Sequence, residues 1–459
     1  MIFSSATFLI FLVFVLSIVA IARSETQRRI AIFVASLFFY GWWDWRFCFF
    51  LVAASTIDYK LALLIQQSST QTTKKRWLAL SLCSNLGLLA VFKYLGWFVA
   101  SVNEAFGSNI PVPDIPLPLG ISFFTFQAMS YTIDVYRGHF DPSRRWFDFS
   151  FSMSFFPHLI SGPIVRAAHF MPQLREPHPL RMEDLHDGVA RFSRGFLKKT
   201  LLADQFAVCA DQIFADPAFF SSPSVWVGVF AYSAQIYYDF SGYTDMAIGL
   251  ARMFGFHFPE NFDHPYLSGN ITEFWRRWHI SLSTWLRDYL YISLGGNRKG
   301  RARTYLNLML TMLLGGLWHG ANWTFVAWGA LHGIALAVHK LVSERWPEPG
   351  PLRRAFGMPI TFVFVTLCWV FFRSPTFAEA SVVFQKLAFV DSSGAEWMYS
   401  FALSGFALAV CSHLYRTLTK QSLSFNFRRP IHVALLAFLL TNTLLFSRTG
   451  TNPFIYFQF

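Results

Sequence analysis

Apolar residues run through this chain in long blocks, and short polar loops, many of them basic, separate the blocks. Blocks near 2–22, 30–44, 47–66, 77–102, 116–136, 200–215, 224–250, 304–318, 321–341, 358–373, 398–415 and 430–447 read as candidate membrane spans. Several are shorter than the roughly 20 residues a straight spanning helix needs, so they tilt, break or enter without crossing. The pattern predicts an all-α polytopic membrane protein with about eleven spans plus re-entrant or interfacial pieces.

Two apolar stretches interrupt the alternation of spans and loops. "FDFSFSMSFFPHLISGPIV" (147–165) has basic segments on both sides and carries Pro157, Gly162 and Pro163. A crossing would put one basic flank outside, so a re-entrant hairpin or interfacial segment fits better, with its irregular backbone satisfied by protein or water. "ITEFWRRWHISLSTWLRDYLYISL" (271–294) carries Arg276, Arg277, Arg287 and Asp288 within itself. It reads as an amphipathic helix at the interface or lining a polar cavity. Residues 166–199, rich in charge and broken by proline and glycine, read as a cytoplasmic surface segment.

Orientation follows from Lys and Arg in short loops. Arg23, Arg28 and Arg29 form one basic loop, Lys74, Lys75 and Arg76 another, and Arg137, Arg144 and Arg145 a third. Arg416, Lys420, Arg428 and Arg429 form a late one, whereas the loop 103–115 has no basic residue. These agree if the basic loops face the cytoplasm and both termini face outward. The first block lacks the basic start and small-residue cleavage site of a signal peptide, so it reads as a retained span.

Composition strengthens the membrane reading. The 459 residues are 54% hydrophobic and only 14% charged, against about a quarter charged in soluble chains. The net charge of +12 reads as the positive-inside bias, since no recognition motif or dense basic arm accompanies it to indicate nucleic acid. Cys48, Cys83, Cys209, Cys368 and Cys411 lie in apolar stretches without metal-ligand spacing and read as packing residues. No phosphate-binding glycine loop, GxSxG or HExxH is present.

Ionisable residues within membrane segments are costly, so each is a functional candidate. "QIYYDFSGYTDMAIG" holds Asp239 and Asp245, and Asp239 shares a helical face with Tyr243 four residues on. The carboxylates either pair with Arg276, Arg277 or Arg287 to fix packing, or line a polar tunnel; Gly242 would loosen the helix there. In "FWRRWHISLS", His279 is either incidental to an aromatic-basic interfacial helix or a tunnel-lining residue, with Ser283 one turn on.

"LLGGLWHGANWTFVAWGALHG" (313–333) carries two histidines. Counting from Arg303 at the cytoplasmic edge, His319 lies about 24 Å along a helix, within a hydrocarbon core of about 30 Å. Apolar surroundings favour neutral side chains, and a neutral imidazole beside an acceptor hydroxyl can serve as general base. The bland alternative is a core histidine bonded to a carbonyl. His332 sits about 220° around an ideal helix from His319, so the two share a face only if the helix breaks near Gly320; otherwise His332 is structural. Trp318 and Asn322 flank the histidine and join the candidate tunnel lining. The Lys and Arg residues of 276–303 suit either an anionic donor such as an acyl-coenzyme A or lipid headgroups.

The runs "PLGISFFTFQAMSYTIDVYRG" (118–138), "FFPHLISGPIVR" (155–166), 240–298 with its "FWRRWHISLS", "YLNLMLTMLLGGLWHGANWTFVAWGALHG" (305–333) and the ending "PFIYFQF" together resemble the membrane-bound O-acyltransferases, in their alginate O-acetylation branch. The resemblance implies a ring of helices around a tunnel across the bilayer. It implies one membrane domain over 1–459: peripheral spans in 1–115, a catalytic tunnel core in 116–341, and C-terminal spans with an outward tail in 342–459. It implies that His319 is catalytic and His279 the second active-site residue, with no metal and no tightly bound cofactor. Acetyl-CoA is then the cytoplasmic donor, and the partners are a periplasmic or membrane-anchored SGNH-type acetyltransferase and the machinery of an exported polysaccharide. The expected location is the bacterial inner membrane. The competing readings are D-alanyl or lipid acyl transfer by the same family, and a non-enzymatic component of polysaccharide export.

Overall fold

The computed structural model describes residues 1–347, 350–397, 405–407, 419 and 429–446. The regular structure of these residues is helical, with no strand among them beyond an isolated bridge between Phe220 and Ala395. The chain divides into two compact units, one of Met1–Phe192 with Thr244–Pro259, the other of Ser193–Tyr243 with the chain from Glu260 onward. Among the described residues four helices have the length and apolarity to cross a bilayer: Arg46–Gln67, Gln71–Phe106, Trp323–Arg345 and Ala355–Arg373. Ala6–Ile21 is a shorter apolar helix that exposes Ile10, Val13 and Phe14. Such bare apolar faces suit lipid, where a soluble protein would bury them.

The first unit opens with Ala6–Ile21, Glu25–Gly41 and Arg46–Gln67. Ser24 begins the second with a reciprocal cap: its hydroxyl accepts the Gln27 N–H at 3.2 Å, and the Gln27 side chain takes the Ser24 N–H. Gln71–Leu89 continues through a π-helical turn, Ala90–Tyr94, into Leu95–Phe106. Asp58 ties three helices together: Ser81 donates to it at 2.6 Å, Asn85 donates at 3.0 and 2.9 Å, and Ser81 meets Thr132 of Ile121–Arg137 at 2.9 Å. A carboxylate among apolar helices needs this degree of hydrogen bonding.

The stretch 147–165 is broken, as its prolines predict. Trp146–Ser154 ends at Phe155, and the short turn Phe156–Leu159 follows. The backbone freed by the break finds side chains, with Phe156 N–H donating to the Ser36 hydroxyl at 3.1 Å and Gln127 donating to the Ser152 carbonyl at 3.1 Å.

Three expectations change. Residues 166–199 are more than a surface segment, because Met182–Leu197 is a helix that runs on through a π-helical stretch, Lys198–Ala203, into Asp204–Ala215. Arg191 pairs with Asp245, Asp184 with Arg252 and Lys199 with Asp239 inside the fold, which sequence hydropathy does not register. The apolar stretch 271–294 is not one helix: it breaks between Ile271–Arg277 and Ile280–Trp285 and passes into a π-helical turn, Leu286–Tyr291. Phe377–Leu387 forms a helix where no element was expected.

In the second unit Arg301–His319 and Trp323–Arg345 form a tight hairpin. Gly329 permits it, since a methyl group there would run into the Met312 carbonyl. Pro351–Arg373 follows, and Pro430–Phe446 is the last described helix. The block 398–415 and the terminal 453–459 lie, but for 405–407, outside the described residues.

Candidate active site

His319 is the last residue of the Arg301–His319 helix. Nineteen residues at 1.5 Å each put it about 28 Å from the helix start. The chain is extended at Gly320, and Asn322 starts the next helix by accepting the Thr324 N–H at 3.0 Å. The break that lets His319 and His332 approach one cluster is therefore present. His319 is buried, and its ring lies 5.1 Å from Trp318, 5.1 Å from Trp328 and 5.2 Å from Phe372, centroid to centroid. Trp328 in turn lies 4.7 Å from His332.

His279 enters the same cluster from the break in 271–294. Its backbone is left-handed, φ +43°, a costly conformation for a residue other than glycine. Backbone bonds hold it there: Ile280 N–H donates to the Asn261 carbonyl at 2.9 Å, and Ser283 N–H to the His279 carbonyl at 2.9 Å. The imidazole is fully buried, edge-on to Phe240 at 4.7 Å and 6.2 Å from Trp318. It lies outside the four long apolar helices, and burial pushes its pKa down from the usual imidazole range, so the ring is uncharged.

The other predicted residues divide. His332 is buried, with Trp275 donating its indole N–H to Nδ1 at 3.3 Å, and Phe274 and Phe364 beside it. This is the setting of a packed core histidine joined to the cluster through Trp328. Asp239 pairs with Lys199 at 2.8 Å, and Lys199 also meets Asp204 at 2.9 Å. Asp245, in the first unit, pairs with Arg191 at 2.8 Å. The arginines of 276–287 are not these partners: Arg277 pairs with Glu273 at 2.6 Å, Arg287 pairs with its neighbour Asp288 at 2.6 Å, and Arg276 is exposed. Tyr243 is buried one turn after Asp239. Gly242 does not loosen this helix, which is continuous over Ser222–Met253; it admits the backbone of Gly195 instead.

Ser283 donates to the Trp278 carbonyl at 3.0 Å, and Asn322 donates to the Pro375 carbonyl at 2.7 Å. Both side chains donate to backbone carbonyls, Ser283 locally and Asn322 across to the turn after Pro351–Arg373. Asn261 contacts His279, Trp328 contacts His319 and Lys199 holds Asp239, and the sequence alone points to none of the three. The run 240–298 contains Asn261, but nothing about an asparagine between two prolines announces an active-site contact. Among the described residues no cluster of three or more His, Cys, Asp or Glu could hold a metal.

The family model of the membrane-bound O-acyltransferases matches residues 147–378, which contain the whole cluster. The chain is 39% identical to the probable alginate O-acetylase AlgI of Pseudomonas putida over the full length of both proteins. It is 43% identical to the probable alginate O-acetylase AlgI of Pseudomonas aeruginosa, over 84% of this chain and 75% of that protein. It is 39% identical to the peptidoglycan O-acetyltransferase of Helicobacter pylori, over 80% of this chain and 75% of that protein. The chain belongs to the membrane-bound O-acyltransferase family. It is a membrane protein and an O-acyltransferase, so the reading as a non-enzymatic export component falls.

Proposed function

We propose that this protein moves acetyl groups from cytoplasmic acetyl-CoA across the bacterial inner membrane for O-acetylation of an exported polysaccharide, alginate or a similar polymer such as cellulose. The observation that carries this is the buried cluster in which Trp318 stands against both His279 and His319, in a chain that matches alginate O-acetylases end to end. In this reading about eleven spans form a ring around a tunnel, and both termini face the periplasm.

Donor and acceptor then occupy opposite sides of an impermeable layer. A buried imidazole reached from both sides lets a small acyl group cross while the coenzyme stays inside. His319 takes the proton of the acceptor hydroxyl, whose oxygen attacks the thioester carbonyl. The carbon–sulfur bond breaks, and the proton passes from His319 to the leaving thiolate. The same imidazole can instead carry the acetyl group in two transfers, with attack of its nitrogen first and of the acceptor oxygen second. Exclusion of bulk water limits hydrolysis of the thioester in either route. The acceptor is an SGNH-type acetyltransferase in the periplasm or membrane, which passes the group to the polymer. Acetyl-CoA is a substrate here and no resident cofactor is involved. The basic residues Arg276, Arg277 and Arg287 supply positive charge near the donor phosphates.

A second acceptor is favoured by one observation, the similarity to a peptidoglycan O-acetyltransferase. The test is replacement of the chromosomal gene by His319→Ala, followed by measurement of ester-linked acetate in secreted polysaccharide and in peptidoglycan. Loss from the polysaccharide alone supports the proposal. Loss from peptidoglycan alone selects the second acceptor, and loss from neither overturns the role of His319.

A further inference from the structure

Asn261 is fully buried, and its side-chain oxygen is the meeting point of three groups. The backbone N–H of Ser281 donates to it at 3.0 Å, the Ser281 hydroxyl donates to it at 2.9 Å, and Nδ1 of His279 lies 3.2 Å away. A backbone N–H only donates, so the atom that faces it is the amide oxygen and not the amide nitrogen. That oxygen only accepts. Nδ1 of His279 must therefore bring a hydrogen to it. The Ser281 oxygen lies 3.4 Å from the same Nδ1, and its own proton is committed to Asn261, so it too faces Nδ1 as an acceptor. In a neutral imidazole a proton on Nδ1 leaves the lone pair on Nε2.

We infer that Asn261 is a positioning residue, which fixes the proton of His279 on Nδ1 and makes Nε2 the accepting atom of the ring. The inference rests on the proposed place of His279 in the active site. It assigns His279 a direction: Nε2 accepts a hydrogen bond from the hydroxyl or thiol of a reactant and does not donate one to the thioester carbonyl. The surrounding backbone is built for this. The Asn261 carbonyl holds the Ile280 N–H at 2.9 Å and the Arg277 carbonyl holds the Asp263 N–H at 2.9 Å, so both strands of the contact are pinned on either side of the left-handed turn at His279. The serine two residues after His279 and the asparagine 18 residues before it thus read the same ring nitrogen.

The test uses inside-out membrane vesicles from cells making the full chain, supplied with labelled acetyl-CoA, with rate and KM followed across pH. Asn261→Ala should lower kcat about 10- to 100-fold and leave KM for acetyl-CoA within about two-fold. Asn261→Asp keeps an acceptor opposite Nδ1, and its charge makes the ring more basic. It should retain most of the rate, while the acidic limb of its pH profile moves up by about one unit. Wild-type rate and profile in Asn261→Ala, with His279→Ala inactive, overturn the inference and leave the proposed function standing. Asn261→Asp as slow as Asn261→Ala, with an unmoved acidic limb, also overturns it. Full transfer by His279→Ala instead removes the active-site reading of His279, and the inference with it. If Asn261→Ala fails to fold, the limb of Asn261→Asp decides alone.

Discussion

The ring of Trp318 lies 6.2 Å from that of His279, although the two residues come from separate helical segments. Trp318 is also the covalent neighbour of His319 and packs edge-on against it at 5.1 Å. One indole therefore sets the spacing of the two imidazoles that the proposed chemistry uses. Misplacing a reacting group by about 1 Å costs about 100-fold in rate. Trp318→Ala should cost about that much in acetyl transfer, measured per amount of folded protein. Trp318→Phe, which keeps an aromatic wall, should recover a large part of the loss. Equal rates for the two variants in a vesicle transfer assay would show that the indole does not set this spacing.

Lys199 sits between Asp239 at 2.8 Å and Asp204 at 2.9 Å, and its side chain and that of Asp239 are both buried. Removing one partner of a buried pair costs about 3–5 kcal/mol, because the remaining charge stays desolvated. Lys199→Met should lower thermal stability in detergent by that order. Adding Asp239→Leu to it should restore part of the loss, since the more deeply buried of the two carboxylates left without Lys199 goes too. A double variant no more stable than Lys199→Met would refute this coupling.

The hairpin around the site makes a steric prediction. Gly329→Ala puts a methyl group into the Met312 backbone, and overpacking of this kind costs about 1–3 kcal/mol. Gly87→Ala is the control, because nothing lies within 4 Å of the added carbon, and alanine is the better helix former by about 1 kcal/mol. Melting curves in detergent should separate the two variants in opposite directions.

Much of this architecture is legible in the sequence because bilayer burial writes itself into hydropathy. The apolar runs that became Ala6–Ile21, Arg46–Gln67 and Trp323–Arg345 are visible directly. The break beside His319 is visible in the glycine that follows it. The partners of the buried carboxylates are not visible. Lys199 and Arg191 sit in a segment whose charge disguises it as surface, and only the fold reveals that those charges are matched from within. The break at His279 has no signature either, since a left-handed histidine carries no glycine or proline to announce it. The role of Asn261 depends on where two turns meet, and hydropathy holds no record of that. Phe377–Leu387 was missed for a simpler reason: at 11 residues it is too short to register as a span.

The central claim is that the two buried imidazoles move an acetyl group from acetyl-CoA. The direct measurement is transfer of label from acetyl-CoA by purified protein reconstituted in lipid vesicles with its periplasmic acceptor protein, comparing wild type with His319→Ala and His279→Ala. The account predicts transfer by wild type and a loss of at least about 100-fold in each variant. Wild-type transfer by both variants would contradict it.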